Sequence, residues 1–375
     1  MKETLQKLLD AADIRVNGDR PWDIRVHDER LWRRAFLYGN NGLGDGYVDG
    51  WWDCRAIDEM LCRLLRVVRK RNRRPWRVVL PGYVHSLLVN LQSLRRAFQV
   101  GEHHYDIGNA LYRAMLGEQM VYSCAYWQAG AGDLDQAQED KLELVCRKLR
   151  LERGQRVLDI GCGWGSFCRY AAENHGVECV GLTVSKEQAA YARRHLEELP
   201  VEILLQDYRE HQGQFDRIVS IGMFEHVGPR NYRTFMKVAR RNLKPEGLFL
   251  LHTIGCNKPY LAARSWINRN IFPNGHIPAP RQVGKAMEGL FVAEDLHNFG
   301  PDYDRTLMAW YHNFRFAWPV LRNTRPQYTD RFYRMWTYYL LSCAAAFRAR
   351  DLQLWQWVLS IPGRRGTYNR PALTP

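Results

Sequence analysis

The stretch V-L-D-I-G-C-G-W-G, residues 157–165, is where the chain's residue types and spacing point most directly to chemistry. An apolar run passes straight into glycines and then into a helical pattern. A nearly bare backbone turn would therefore stand at the carboxyl end of a sheet strand, where open α/β sheets bind their ligands. Gly161, Gly163 and Gly165 would let a ligand approach without meeting a side chain, and the helix that follows offers unbonded N–H groups. The dinucleotide fingerprint G-x-G-x-x-G fails here, because its third glycine falls at Ser166. A purely structural strand-to-helix turn is the alternative use of the same residues. The nine cysteines form no C-x-x-C pair and no Cys/His cluster at zinc spacing, so reduced thiols are expected and a metal centre is not.

D-I-G-C-G-x-G resembles the first motif of S-adenosylmethionine-dependent methyltransferases, whose turn packs against the methionine part of the cofactor. The resemblance implies cofactor contacts at Asp159, Gly161, Cys162 and Gly163. In that fold an acid ending the second strand commonly binds the ribose hydroxyls. Here the strand leads into L-T-V-S-K-E-Q without an acid at its immediate end, so Thr183 and Gln188 are the candidates, with Glu187 in reserve. After the third strand, L-Q-D-Y-R puts Gln206, Asp207 and Tyr208 near the expected adenine position. Tyr208 or Trp164 could stack on the base; both could equally be core.

These residues need a scaffold. V-L-D-I-G, E-C-V-G-L-T-V, E-I-L-L-Q-D, F-D-R-I-V-S-I-G and G-L-F-L-L-H-T-I-G are short apolar runs bounded by turns. Between them lie helical stretches near 166–174, 186–199 and 231–243. The alternation predicts an α/β domain, a mostly parallel sheet with helices on both faces, Rossmann-like in the manner of class I methyltransferases. D-L-Q-L-W-Q-W-V-L-S alternates with period two, as a last strand with one covered face would. Before this domain, D-I-R-V reads as a short strand and L-W-R-R-A-F-L-Y-G as a helix ending at Gly39. G-L-G-D-G-Y-V-D-G-W-W-D-C reads as turn-rich. A helix from Ile57 carries Met60, Leu61, Leu64, Leu65 and Val68 on one face and leads into R-K-R-N-R-R. The expected organisation is an N-terminal lipid- or membrane-binding domain over 1–80, a linker over 81–100 with a helix around His85 to Phe98, and a catalytic domain over 101–375.

Lys and Arg number 54 against 40 Asp and Glu, a net charge of +14, which biases the protein toward anionic surfaces, either nucleic acid or acidic lipid. The basic run after Ile57–Val68 has two readings: cations favoured at a helix C-terminus, or a patch for a membrane surface. No apolar run approaches the ~18 residues of a spanning helix.

The remaining motifs carry a sharper resemblance. E-H-H-Y-D-I-G-N-A-L-Y, Y-S-C-A-Y-W, L-D-I-G-C-G-W-G, G-L-T-V-S-K-E-Q, L-Q-D-Y-R, S-I-G-M-F-E-H-V-G, L-H-T-I-G, I-F-P-N-G and H-N-F-G-P-D-Y-D-R-T-L-M-A-W look like segments of cyclopropane-fatty-acyl-phospholipid synthases, in family order from about residue 101 to 350. G-Y-V-D-G-W-W-D-C resembles the bacterial, phospholipid-acting branch; the shorter mycolic-acid cyclopropane synthases lack such an N-terminal domain. The resemblance implies addition of a methylene from S-adenosylmethionine across a cis double bond of a phospholipid acyl chain. An isolated alkene is a poor nucleophile, so the sulfonium methyl must be aimed at it in a dry pocket. The resulting carbocation needs nearby π faces or negative charge, and a base must remove a proton for the ring to close. In the family that base is taken to be bound bicarbonate. The matching positions are Cys124, Glu225, His252, Ile254 and Tyr303. Glu225 and His252 would orient the bicarbonate, Tyr303 would bond it and face the cation, and Cys124 and Ile254 would contribute backbone groups. Tyr122 and Ser123 are candidates for the cofactor's methionine end. A cytoplasmic homodimer, peripheral at the inner membrane face, is implied as well.

Three rivals stand beside this reading. One is a lipid methyltransferase leaving a methyl branch. Another is a nucleic-acid methyltransferase, disfavoured because neither an N/D-P-P-Y/F motif nor a pyrimidine-attacking cysteine motif is evident. The third is a non-enzymatic basic membrane protein. Neutralising Arg66, Arg69, Lys70 and Arg71 together is expected to weaken binding to anionic vesicles by roughly 1 kcal/mol per charge while sparing cofactor binding. Unchanged vesicle cosedimentation would remove the basic helix from consideration.

Overall fold

The computed structural model describes residues 1–71, 107–259 and 265–371. The expected linker over 81–100, the helix around His85 to Phe98, the end of the basic run and the start of E-H-H-Y-D-I-G lie outside the described residues. Contacts divide the described chain into two units. One gathers 1–71, 265–273 and 303–352; the other gathers 107–259, 274–302 and 353–371.

The first unit is mainly helical. Lys2–Ala11 (α1), Arg30–Tyr38 (α2), Asn40–Val48 (α3) and Ile57–Arg71 (α4) surround a two-residue antiparallel pair, Arg25–Val26 (β1) with Trp52–Asp53 (β2). Gly39 ends α2 with φ 55°, as the sequence implies. The segment read as turn-rich is instead helical over α3, although Gly42, Gly44 and Gly46 lie within it. The reason is close packing. A Cβ on Gly44 would stand 2.7 Å from both the Trp266 and Tyr338 rings, and one on Gly42 would stand 2.2 Å from the Arg34 carbonyl oxygen. Tertiary burial of Trp52, Trp266 and Tyr338 outweighs the ~1 kcal/mol helix penalty of each glycine.

On α4 the buried stripe is Ile57, Met60 and Leu61, whereas Val68 is exposed. Arg69 at its end donates to the carbonyls of Ala349 (3.5 Å) and Arg350 (3.3 Å), just past a helix whose C-terminus attracts cations. Arg348 of the same region bridges Asp304 at 2.9 Å and Asp58 at 2.6 Å.

The second unit is the α/β domain. Its strands are Arg156–Ile160 (β3), Glu178–Thr183 (β4), Val201–Leu205 (β5), Phe215–Ile221 (β6), Leu243–Cys256 (β7), Val292–Asn298 (β8) and Leu352–Ser360 (β9), in the order β5-β4-β3-β6-β7-β9-β8. The first five run parallel, and β8 pairs antiparallel with β9. Alternate strand residues feed two cores, as the pleat requires. Leu158, Ile160, Val180 and Leu182 join Phe235, Met236 and Val283 on one face. Val157, Cys179, Ile203 and Val219 join Leu142, Phe167 and Ala192 on the other.

The helix expected over 186–199 stops at His195. The final strand differs more. β9 is buried from Gln353 to Ser360 on both faces, because Trp355, Trp357 and Leu359 join one sheet core and Val358 joins the other.

Gly44→Ala separates propensity from packing. Propensity alone would stabilise the protein by ~1 kcal/mol; the clash with two buried rings is expected to destabilise it by about 1–3 kcal/mol. A lower urea midpoint at unchanged m-value shows that packing wins, and a raised midpoint would contradict the close-approach account of α3.

Candidate active site

Parallel strands place their carboxyl ends along one edge, and five segments of interest leave from it. After β3, the turn Gly161–Gly165 is tied to β4, since Gly161 N and Cys162 N both donate to the Leu182 carbonyl, at 3.0 and 2.9 Å. Gly161 has φ 92°, and a Cβ there would strike Met223 at 2.6 Å. Over Gly163, at φ 57°, a Cβ would meet nothing nearer than Gln188 Nε2 at 3.9 Å. The turn thus leaves open backbone above Gly163 while packing tightly beneath Gly161. The Cys162 side chain faces the sheet, packed against Gly181, so its peptide is the part left for a ligand.

Thr183, Ser185 and Gln188 form one hydrogen-bonded corner after β4. Thr183 Oγ1 donates to Gln188 Oε1 (3.0 Å), the Ser185 N–H donates to Thr183 Oγ1 (3.2 Å), and Ser185 Oγ caps the helix Lys186–His195 through Gln188 N (3.3 Å). All three residues are buried, so the corner is a preformed polar wall facing the glycine turn. After β5, Gln206 Oε1 accepts from His211 Nδ1 at 3.1 Å. The Asp207 carboxylate is taken by Arg209, whose side chain reaches both of its oxygens, at 2.8 and 2.7 Å. Tyr208 is packed against Phe235, with ring centroids 5.2 Å apart, inside one of the two sheet cores. Trp164 lies with Tyr112 (5.0 Å), which in turn meets Tyr122 (5.3 Å), and its Nε1 donates to Asn109 (3.1 Å).

The Tyr122–Cys124 segment is held by a helix that sequence reasoning passed over. Leu134–Leu149 (labelled α5 here) places Gln138, Lys141 and Lys148 fully buried among Leu142, Val145 and Leu149. Gln138 Nε2 donates to the Ser123 carbonyl (2.9 Å) and Lys141 Nζ to Ser123 Oγ (3.0 Å). Cys124 is buried, its thiol directed to the Ala125 carbonyl at 3.2 Å. The available signal was the spacing: polar residues at 138, 141 and 148 fall on the same helical face as the apolar stripe.

Burial works on Asp159 and Lys141 in opposite directions. It raises the Asp159 carboxyl to about 7 and lowers the Lys141 ammonium to about 7. Each change favours the neutral form of a group removed from water. Asp159 Oδ1 is buried without a hydrogen-bond partner among the described residues. The open backbone at Gly163, the polar wall at Thr183 and Gln188, and this unsatisfied carboxyl oxygen fit a ligand with hydroxyl and amino groups, as S-adenosylmethionine has.

After β6, a short turn Phe224–His226 puts Glu225 against β7, and Ile254 N donates to Glu225 Oε1 at 2.6 Å. His252 lies on β7 opposite Ile221, with its Nδ1 3.2 Å from Gln356 Nε2. Glu225 Oε2 and His252 Nε2 are both buried without a partner among the described residues. The structure thus brings Glu225, His252 and Ile254 together on adjacent strand ends, and Glu225, not its neighbour His226, is the residue bound to Ile254. Tyr303 belongs to the first unit, where it packs on Phe347 (4.5 Å) and Trp310 (5.9 Å).

Burial holds the His252 imidazolium well below its usual range, and the positive charges of Lys141 and Lys148 add to the effect, so the ring is neutral. Burial likewise raises Glu225 to about 7 from an ordinary 4.5, against the opposing pull of the Ile254 N–H. A carboxyl whose folded pKa is raised contributes its stability fully below the unfolded pKa and loses it as pH rises through the folded one. From pH 5 to pH 8, wild type is therefore expected to lose about 3 kcal/mol relative to Glu225→Gln, at 1.36 kcal/mol per pKa unit. Urea unfolding of both proteins at the two pH values measures it. A difference independent of pH would show that Glu225 titrates as an exposed acid.

The family pattern described as Mycolic acid cyclopropane synthetase matches residues 92–357. The chain is 51% identical over 361 residues to the Cyclopropane-fatty-acyl-phospholipid synthase of Escherichia coli (strain K12), covering 94% of this chain and 92% of that one. Among solved structures it is similar to the cyclopropane synthase MmaA2 from Mycobacterium tuberculosis, with TM-score 0.65 and 31% identity over 70% of this chain and 97% of that chain. It also resembles the mycolic acid cyclopropane synthase CmaA1 complexed with SAH and CTAB, with TM-score 0.64 and 29% identity over 70% and 97% of the two chains. The sheet order, the glycine turn and these likenesses agree, and the chain belongs to the mycolic acid cyclopropane synthetase family of S-adenosylmethionine-dependent methyltransferases.

Proposed function

We infer that this protein is a cyclopropane-fatty-acyl-phospholipid synthase, which adds a methylene across the cis double bond of an unsaturated phospholipid acyl chain. The observation that carries the reading is the likeness to the Escherichia coli synthase along nearly the whole chain, including the part that precedes residue 92. S-adenosylmethionine supplies an electrophilic methyl on a sulfonium. Asp159, the backbone of Gly161–Gly163, Thr183 and Gln188 are the residues to hold it, with Gln206 and Asp207 toward the base and Tyr122 and Ser123 toward the methionine end.

Glu225 and His252 form the reacting floor. Near pH 7 much of Glu225 is protonated, so its Oε2 can donate while Oε1 accepts from Ile254. Neutral His252 can donate from Nε2. Two donors in a buried site suit a small anion, and bicarbonate fits this pair while Glu225 is protonated, since its charge would repel an ionised Glu225. Bound there, bicarbonate supplies the base for the last proton. The roles of Cys124, Ile254 and Tyr303 follow the family pattern, Tyr303 bonding the anion and facing the substrate cation.

The basic charge suits anionic phospholipid, and no helix among the described residues is long and apolar enough to cross a membrane. We take the enzyme to work from the aqueous side, peripheral to the inner membrane face and as a homodimer, with residues 1–80 as the lipid-binding part.

A methyl-branching activity is the second reading, since a Probable fatty acid methyltransferase of Pseudomonas putida is 34% identical over 72% of this chain. Incubation with S-adenosylmethionine and vesicles of cis-unsaturated phospholipid distinguishes the two. The expected fatty acid gains one CH₂ and resists hydrogenation, with the rate falling when bicarbonate is removed. A saturated methyl-branched product would establish the second reading instead. Glu225→Gln and His252→Ala are each expected to lower kcat by about 10²–10³-fold, with S-adenosylmethionine affinity within a few fold.

A further inference from the structure

The mechanism above needs His252 not only neutral but in one tautomer. With the proton on Nε2 the ring donates toward an anion on the site floor; with the proton on Nδ1 it would present a lone pair there and repel it. What stands behind Nδ1 therefore decides whether the floor attracts or rejects its base.

Gln356 stands there. It is fully buried on β9, the strand between β7 and β8. Its Nε2 is 3.2 Å from His252 Nδ1 on one side. On the other, Gln356 pairs in register with His297 of β8, and directly opposed residues on adjacent strands share a sheet face. His297 Nδ1 is 3.1 Å from Lys148 Nζ, and Lys148 is 3.6 Å from Asp295, which also accepts from Arg370 Nε at 2.8 Å.

Three adjacent strands thus present His252, Gln356 and His297 side by side, backed by a buried lysine. Gln356 turns its NH₂ group toward His252, while its Oε1 is buried without a hydrogen-bond partner among the described residues. An NH₂ group can only donate, so Nδ1 must accept and the ring proton must sit on Nε2. The nitrogen left without a partner among the described residues is Nε2.

We propose that Gln356 is a positioning residue for the reaction: by donating to His252 Nδ1 it fixes the Nε2–H tautomer and so makes the site floor a donor to the anionic base. The proposal rests on the synthase reading, and it adds a requirement on a residue outside the reacting floor. Burial, with the positive charges of Lys141 and Lys148 adding to it, keeps the His252 ring neutral, as the tautomer argument requires.

The test uses the full-length protein labelled with ¹⁵N-histidine. Long-range ¹H–¹⁵N spectra, with the His252 signals identified by their loss in His252→Ala, read the tautomer directly and need no turnover. Wild type is expected to show His252 protonated at Nε2. Gln356→Leu removes the donor and Gln356→Glu, nearly isosteric, replaces it with an acceptor that draws the proton to Nδ1. Both are expected to move the His252 signature away from the wild-type tautomer. Both should also lower kcat by about tenfold or more, with the larger loss in Gln356→Glu and KM for S-adenosylmethionine within about twofold. A role in packing alone would spare the isosteric variant. An Nδ1–H tautomer in wild type, or a Gln356→Glu enzyme with wild-type kcat, would overturn the proposal. Absence of a cyclopropane product from wild type would count against the synthase reading, while the tautomer measurement would still judge Gln356.

Discussion

Removing ionisable groups from water without a salt bridge to offset their burial is the constraint around which the α/β unit is built. Asp159, Lys141, Glu225 and His252 are all buried at or behind the carboxyl ends of the strands, and their hydrogen-bond partners are neutral: the Cys168 thiol, the Ser123 hydroxyl, the Ile254 N–H and the Gln356 amide. A buried charge left alone costs several kcal/mol, so these groups settle toward their neutral forms. A neutral site is what the chemistry wants: a sulfonium methyl directed at an alkene gains from a dry cavity, and a neutral acid and a neutral imidazole can both donate to an anion. The geometry that permits this is backbone geometry. Ile254 N–H fixes Glu225, the Leu182 carbonyl fixes the glycine turn, and the parallel ladder brings both to the same edge.

Support for the site comes from elements that carry no reacting group. The helix Leu134–Leu149 sends Gln138 and Lys141 into the Tyr122–Cys124 segment and Lys148 to His297. A lysine in a core is normally a liability; here the stem packs against apolar neighbours and the amine finds a hydroxyl or an imidazole. β9 closes the same assembly from the other side, with Gln356 between two histidines. The first unit relies on a different device. Its helix α3 gives up side-chain volume at Gly44 so that Trp266 and Tyr338 can pack on bare backbone, at Gly42 for the Arg34 carbonyl and at Gly46 for Leu31 and Trp52.

The parallel α/β sheet was legible because alternation of apolar runs and helical stretches is a local property, and the runs from V-L-D-I-G to G-L-F-L-L-H-T-I-G all became strands. The glycine turn was legible for the same reason. Misreadings arose where local preference and tertiary packing disagree. Three glycines in nine residues suggested turns, yet α3 is a helix because buried rings need the space. Period-two alternation in β9 suggested one covered face, yet the cores on the two sides of the sheet cover both.

By itself, then, the sequence determined the α/β class, the glycine turn at the carboxyl end of β3, and the residue types that follow the strands, since each depends on periodicity or on a short motif. Only the tertiary structure decided which of those residues meet. Glu225 and Ile254 are 29 positions apart and His252 and Gln356 are 104 apart, and no local pattern encodes that such pairs become neighbours. Strand order does so, because β9 enters the sheet beside β7 after a long excursion of the chain. The neutral state of the floor was equally beyond local reading, since desolvation is a property of everything packed around a group and not of the residue itself.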